Sequence, residues 1–163
     1  MIDLFLPAFL VSIVLLGIHS YFGIEIIRRG IIFTDLAIGQ MAAMGSAIAL
    51  LFFEGHFLYP ISLGMALLTG LLIGLLSRHE QNVEPLIGLL YALGISAVFL
   101  LLSRSPHGME EIQNLMAYDI LFTPMIEVFK TAGIYAFLGL LLWLSQRFLQ
   151  GLWYELSFFL IFA

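Results

Sequence analysis

Five long runs of apolar residues, each closed off by charge, proline or a short polar turn, constrain this chain more than any other feature. Leu4 to Ile24 is uncharged between Asp3 and Glu25, although it carries Pro7 and His19. Leu36 to Phe53 lies between Asp35 and Glu54, and Phe57 to Ser77 follows the turn Glu54-Gly55-His56. Leu86 to Ser103 follows Pro85; Thr131 to Gln146 is short unless it borrows Met125 to Phe129. A helix crossing a bilayer needs about 20 mostly apolar residues, within a range of roughly 17–25. The pattern therefore predicts an all-α polytopic transmembrane bundle of about five spans.

Composition excludes the alternative of a water-soluble core. With 62% hydrophobic and 10% charged residues in 163 positions, the chain has too little polar surface to cover an apolar interior of its own size. Lipid is its solvent. The net charge of −5 comes from few, scattered groups, and no basic patch or arginine-rich arm points to nucleic acid. The absence of cysteine rules out disulfides and thiolate-bound zinc. The N-terminus lacks a basic region, and its apolar stretch exceeds a typical signal-peptide core, so it reads as a retained first span.

Lysine and arginine asymmetry predicts orientation. Placing Arg28-Arg29, Arg78 and Arg147 in the cytoplasm suits five alternating spans and leaves Glu54, Glu110, Glu111, Asp119 and Glu127 outside. The tail LWYELSFFLIFA ends on an apolar run, Ser157 to Ala163, that reaches only about 10 Å as a helix. It reads either as an interfacial segment or as the approach to a further span, and the second is preferred.

The second run carries the most informative side chains. Gly39, Ala43 and Ala47 form one small-residue edge; Ala42, Ser46 and Ala49 form its neighbour. Close backbone approach through small residues is a main packing device in lipid, so this helix should be interior. Asp35 at its mouth suits a helix N-terminus, alone or paired with Arg28 or Arg29, with Thr34 as an alternative N-cap. A place on a cation route is the other option for it. Gln40 lies deeper and should face protein or water. On one ideal helix the two side chains sit about 140° apart, too far to hold a single ion together.

Elsewhere, Glu25 and Arg28 have the spacing of a local ion pair. His19 is either a buried hydrogen-bonding residue or a ligand. His107 with Glu110 and Glu111 reads equally as an outer metal-recruiting group or as a helix start. No HExxH, CxxC, P-loop or nucleophile elbow occurs, and the chain reads as not itself an enzyme.

Several segments together resemble a known family. The basic pair Arg28-Arg29-Gly30, the stretch FTDLAIGQMAAMGSAIA, the fourth span LIGLLYALGISAVFLLLS and the segment HGMEEIQNLMAYDILFTP are similar in order and spacing to the permease subunits of ABC importers for zinc, manganese and ferrous iron. The likeness covers nearly the whole chain. It implies a transport component of the inner membrane that pairs with a second permease, homo- or heterodimeric. Cytoplasmic ABC ATPase subunits would drive it, and an extracytoplasmic metal-binding protein would deliver the cargo. It implies no bound cofactor, a divalent metal ion as cargo, and residues 1–163 as one transmembrane domain, the N-terminal part of a longer permease. Asp35, Gln40 and His19 become transport-pathway candidates, with Asp35 the candidate metal ligand; Arg147 and Glu155 become ATPase-coupling candidates. Aligned on Gly45, Gln40 stands where the family has histidine and Asp35 sits one place early, so a different cargo or a metal chelate fits as well. A small helical accessory or assembly protein is the alternative; a secondary carrier is disfavoured by the scarcity of intramembrane carboxylates.

Overall fold

The computed structural model describes residues 2–79, 83–105, 110 and 123–163. Within them the chain forms α1 (Ile2–Arg29), α2 (Thr34–Phe53), α3 (Leu58–His79), α4 (Glu84–Leu102), α5 (Met125–Phe148) and α6 (Leu152–Phe162). Five of these helices are long and apolar enough to cross a membrane; α6 is too short. The chain is an all-α, multi-pass membrane protein. The fifth span does borrow Met125 to Phe129, and α1 runs on through the basic pair to Arg29. Backbone groups in lipid have no partner but one another, which makes helices of this length the available solution. Side-chain hydroxyls follow the same rule: Ser12, Ser20 and Thr69 donate to the carbonyls of Ala8, Leu16 and Met65, each one turn back.

The helices form two groups. In the first, α2 lies between α3 and α4, and glycine sets both distances. A Cβ on Gly45 would meet the Ile61 carbonyl oxygen and Ser62 Cα at 2.9 Å each. A Cβ on Gly94 of α4 would meet the carbonyl carbon and Cβ of Gln40 at 2.8 Å. Ser62 also donates to the Ala42 carbonyl across the α2–α3 seam at 3.0 Å. Both small-residue edges of α2 are used: Ala43 and Ala47 pack with Val98 and Leu102 of α4, and Ala42 meets Ser62 of α3. Gly39 alone faces open space, and the closest approaches occur at Gly45 and at Gln40.

In the second group, α5 packs on α1 and α6 packs on α5. His19 and Tyr21 of α1 contact Tyr135 and Gln146 of α5 respectively.

The seam between the two groups is α3 against α6. A Cβ on Gly70 would meet the Phe159 carbonyl oxygen at 2.7 Å, and one on Gly74 would meet the Phe159 ring at 2.9 Å. Phe158 and Phe159 are fully buried there, among a core that includes Phe22, Ile26, Ile73 and Ile87. The tail therefore folds back as a short docked helix, and Gly151, at φ 58°, makes the turn that permits it. Sequence alone assigned this segment no partner within the chain.

Candidate functional site

The start of α2 is built by its neighbours. Gly30, at φ 67°, closes α1, with the Ile31 N–H returning to the Ile26 carbonyl at 3.3 Å. Phe33 takes the N-cap position and supplies no side-chain cap. Thr34 is not the cap: it is buried inside the first turn, and its hydroxyl donates backwards to the Ile31 carbonyl at 2.7 Å. The acceptor comes instead from α4, where Glu84 Oε1 takes the Phe33 N–H at 3.3 Å. Glu84 Oε2 is buried and has no hydrogen-bond partner among the described residues.

Asp35 sits in the first turn of α2, exposed, where the helix dipole favours a carboxylate. It pairs with neither Arg28 nor Arg29. Arg29 is instead claimed by Glu25, at 3.0 Å, and by Glu155 of α6, while Arg28 stands 3.9 Å from Glu25. The expected local pair Glu25–Arg28 is thus the weaker one; the i,i+4 partner Arg29 lies closer because its guanidinium is held inward, 4.4 Å from the Phe158 ring centre.

His19 stacks on Tyr135 of α5, ring centres 5.6 Å apart and planes 20° apart. Its Nδ1 lies 3.0 Å from the Leu15 carbonyl. A carbonyl only accepts, so Nδ1 is the donor in this contact. Asp35 makes no hydrogen bond or ion pair with His19 or Gln40 among the described residues, and Gln40 lies at the α2–α4 seam against Gly94, as the angle between it and Asp35 requires. Among the described residues no three His, Asp or Glu side chains gather as a metal-binding group. His107 and Glu111 lie outside the described residues.

The coupling candidates share an end of the molecule but not a contact. Arg147, exposed in the last turn of α5, lies 5.4 Å over the Trp143 ring. Glu155 is held by Arg29 in the first turn of α6. Gln146 donates to the Tyr21 hydroxyl, which puts the end of α5 beside the end of α1. Arg28, Arg29 and Arg147 therefore collect at one end of the bundle, the distribution expected of a cytoplasmic face.

Tyr135 and Glu84 have no signal in the sequence. A tyrosine in an apolar helix reads as core or interface, and a glutamate before Pro85 reads as an ordinary first-turn acid. Compared with family models, curated proteins and solved structures, the chain matches none.

Proposed function

We propose that this chain is a transmembrane component of an ATP-driven importer of divalent metal ions such as zinc, manganese or iron, seated in the inner membrane. It works beside a second permease subunit, cytoplasmic ATPase subunits and an extracytoplasmic metal-binding protein. The supporting observation is the place of α2. The segment that carries the likeness to metal-ion permeases is the helix gripped on both flanks, through Gly45 and Gly94. A helix so held moves with both neighbours, which is what alternating access asks of a central element. Asp35 and His19 offer hard and borderline ligand atoms to a passing cation; Gln40 offers a neutral oxygen deeper along the helix of Asp35.

The test is metal uptake by cells carrying the full-length frame. Asp35→Ala and Gln40→Ala each lower uptake about tenfold, the usual scale for losing one polar contact to a charged ligand. Full uptake by both variants at equal expression sinks the pathway assignment. ATPase subunits that still co-purify after removal of Arg147 to Ala163 sink the coupling assignment.

One observation favours a second reading, a helical accessory or assembly protein without transport activity. Glu155 is spent on an internal ion pair with Arg29, the bond of a residue that fixes a tail rather than one that meets an ATPase. Purification with a larger membrane complex, and no change in metal uptake on deletion of the gene, would select it.

A further inference from the structure

Arg29, at the end of α1, stands between two carboxylates of different standing. Glu25 lies one turn back on the same helix, and its Oε1 accepts from Arg29 Nε at 3.1 Å, with Nη2 at 3.0 Å. Glu155 reaches the same guanidinium from the first turn of α6. α6 also supplies the rings around it, with Phe158, Phe159 and Tyr154 centred 4.4, 5.9 and 6.0 Å away. One cation is thus held twice, once by its own helix and once by the tail.

The joint behind α6 is not tied to the rest of the bundle. Leu149 is extended, and Gly151 turns at φ 58° and ψ −129°, a conformation open to glycine. The Leu149 N–H returns to the Ser145 carbonyl, and the Gly151 carbonyl accepts from the Glu155 N–H. Among the described residues no backbone hydrogen bond joins α6 or this joint to α1 or α3. The ion pair, the rings and the seat of Phe159 on Gly70 and Gly74 hold α6 there.

We propose that α6 is a hinged strap, closed in this structure, and that Arg29 is its catch. An ion pair withdrawn from water resists opening mainly because the departing partner strands a charge. Here the cation is not stranded: when Glu155 leaves, Arg29 keeps Glu25. The closed catch also sets two carboxylates on one guanidinium, so repulsion between Glu25 and Glu155 opposes closure while the rings and the glycine seat favour it. Opposed contributions of this kind keep a closed and a lifted state within a few-fold to a few-hundred-fold of each other, roughly the range a population shift can use. Lifting frees Glu155 for the ATPase contact of the proposed importer, a consequence that rests on that reading; the catch is tested on the purified chain without an ATPase.

The chain has no cysteine, so spin labels attach only where one is introduced. Leu72→Cys on α3 and Leu160→Cys on α6 are exposed positions, and Leu160 lies toward the end of α6 away from Gly151. Electron–electron double resonance in lipid nanodiscs reads the distance between them. Gly70→Ala, present in every sample, wedges the seat and brings the lifted state to a measurable share, so a short and a long distance are expected. Glu155→Gln raises the long-to-short ratio about thirtyfold, the scale of an ion pair between the exposed and buried limits. Glu25→Gln lowers it about threefold, because the lifted state then leaves Arg29 without a partner and the closed state loses its repulsion. A Glu25 that only aimed Arg29 at the tail would act in the opposite sense. Glu127→Gln, whose carboxylate pairs with Lys130, leaves the ratio unchanged. One distance in all variants, or a long population that grows in Glu25→Gln, overturns the proposal.

Discussion

Arg29 of α1 and Glu155 of α6, 126 positions apart, form an ion pair that ties the tail to the first helix. The guanidinium lies at the Phe158 face and also holds Glu25, so one cation serves two carboxylates and an aromatic ring. Its side chain is 18% exposed and that of Glu155 32%, which sets the pair between a solvent-screened surface bridge and a dry one.

That intermediate setting predicts the size of its loss. Glu155→Gln and Arg29→Gln each destabilise the folded chain by about 2 kcal/mol, between the surface and buried limits. The double variant loses less than the sum, because each single change strands the other partner. Thermal unfolding in detergent, followed through Trp153 fluorescence, measures all three; strict additivity contradicts the pair.

The α3–α6 seam predicts an order between two glycines. Gly70→Ala drives a methyl into the Phe159 carbonyl, a backbone atom at 2.7 Å, and backbone held in a helix cannot step aside. Gly74→Ala meets only the Phe159 ring at 2.9 Å, which can turn. Gly70→Ala should therefore cost about 2–3 kcal/mol and Gly74→Ala about 1. Protease cleavage near Gly151 reads out the undocking of α6.

Gly94 supplies a matched pair with Gly88 on the same helix. Gly94→Ala pushes α4 from the backbone of Gln40 and should destabilise by about 1–3 kcal/mol. Gly88 has nothing within 4 Å of a new Cβ, so Gly88→Ala should be neutral or stabilising by up to about 1 kcal/mol through helix propensity. Equal melting temperatures for the two variants contradict the α2–α4 contact.

Glu84 supplies a test of the cap. Oε1 accepts the Phe33 N–H, and Oε2 is buried without a partner among the described residues. Glu84→Gln keeps the acceptor, and the relief of charge is offset by an amide NH2 without an acceptor and by the lost dipole interaction of about 0.3–1 kcal/mol, so its stability should stay within about 1 kcal/mol of the wild type. Glu84→Ala leaves the amide of Phe33 unpaired and should destabilise by about 1 kcal/mol. A Gln variant less stable than Ala reverses the argument.

Span positions and the basic end could be read directly from the sequence, because both depend on local runs of residue type. Of the candidate site, His19, Asp35 and Gln40 were visible as polar atoms in apolar helices. Their partners were not: His19 stacks on Tyr135 of α5, and Gln40 faces Gly94 of α4.

By itself, then, the sequence determined that this chain lives in lipid, that it is helical, how many spans it can make, and which ends carry arginine. Hydropathy settles these points because the bilayer leaves backbone amides no alternative to helix. Only the tertiary structure decided which helices touch. Lipid tails are as apolar as leucine, so burial in the membrane gives no helix a preferred neighbour. The choice falls to shape: a missing side chain at Gly45, Gly70 or Gly94 lets one backbone approach another. Whether such a glycine faces a helix or open space, as Gly39 and Gly88 do, depends on residues far away in the chain. The tail shows the same division, its composition marking it as apolar while Arg29 and the glycines of α3 fix where it docks.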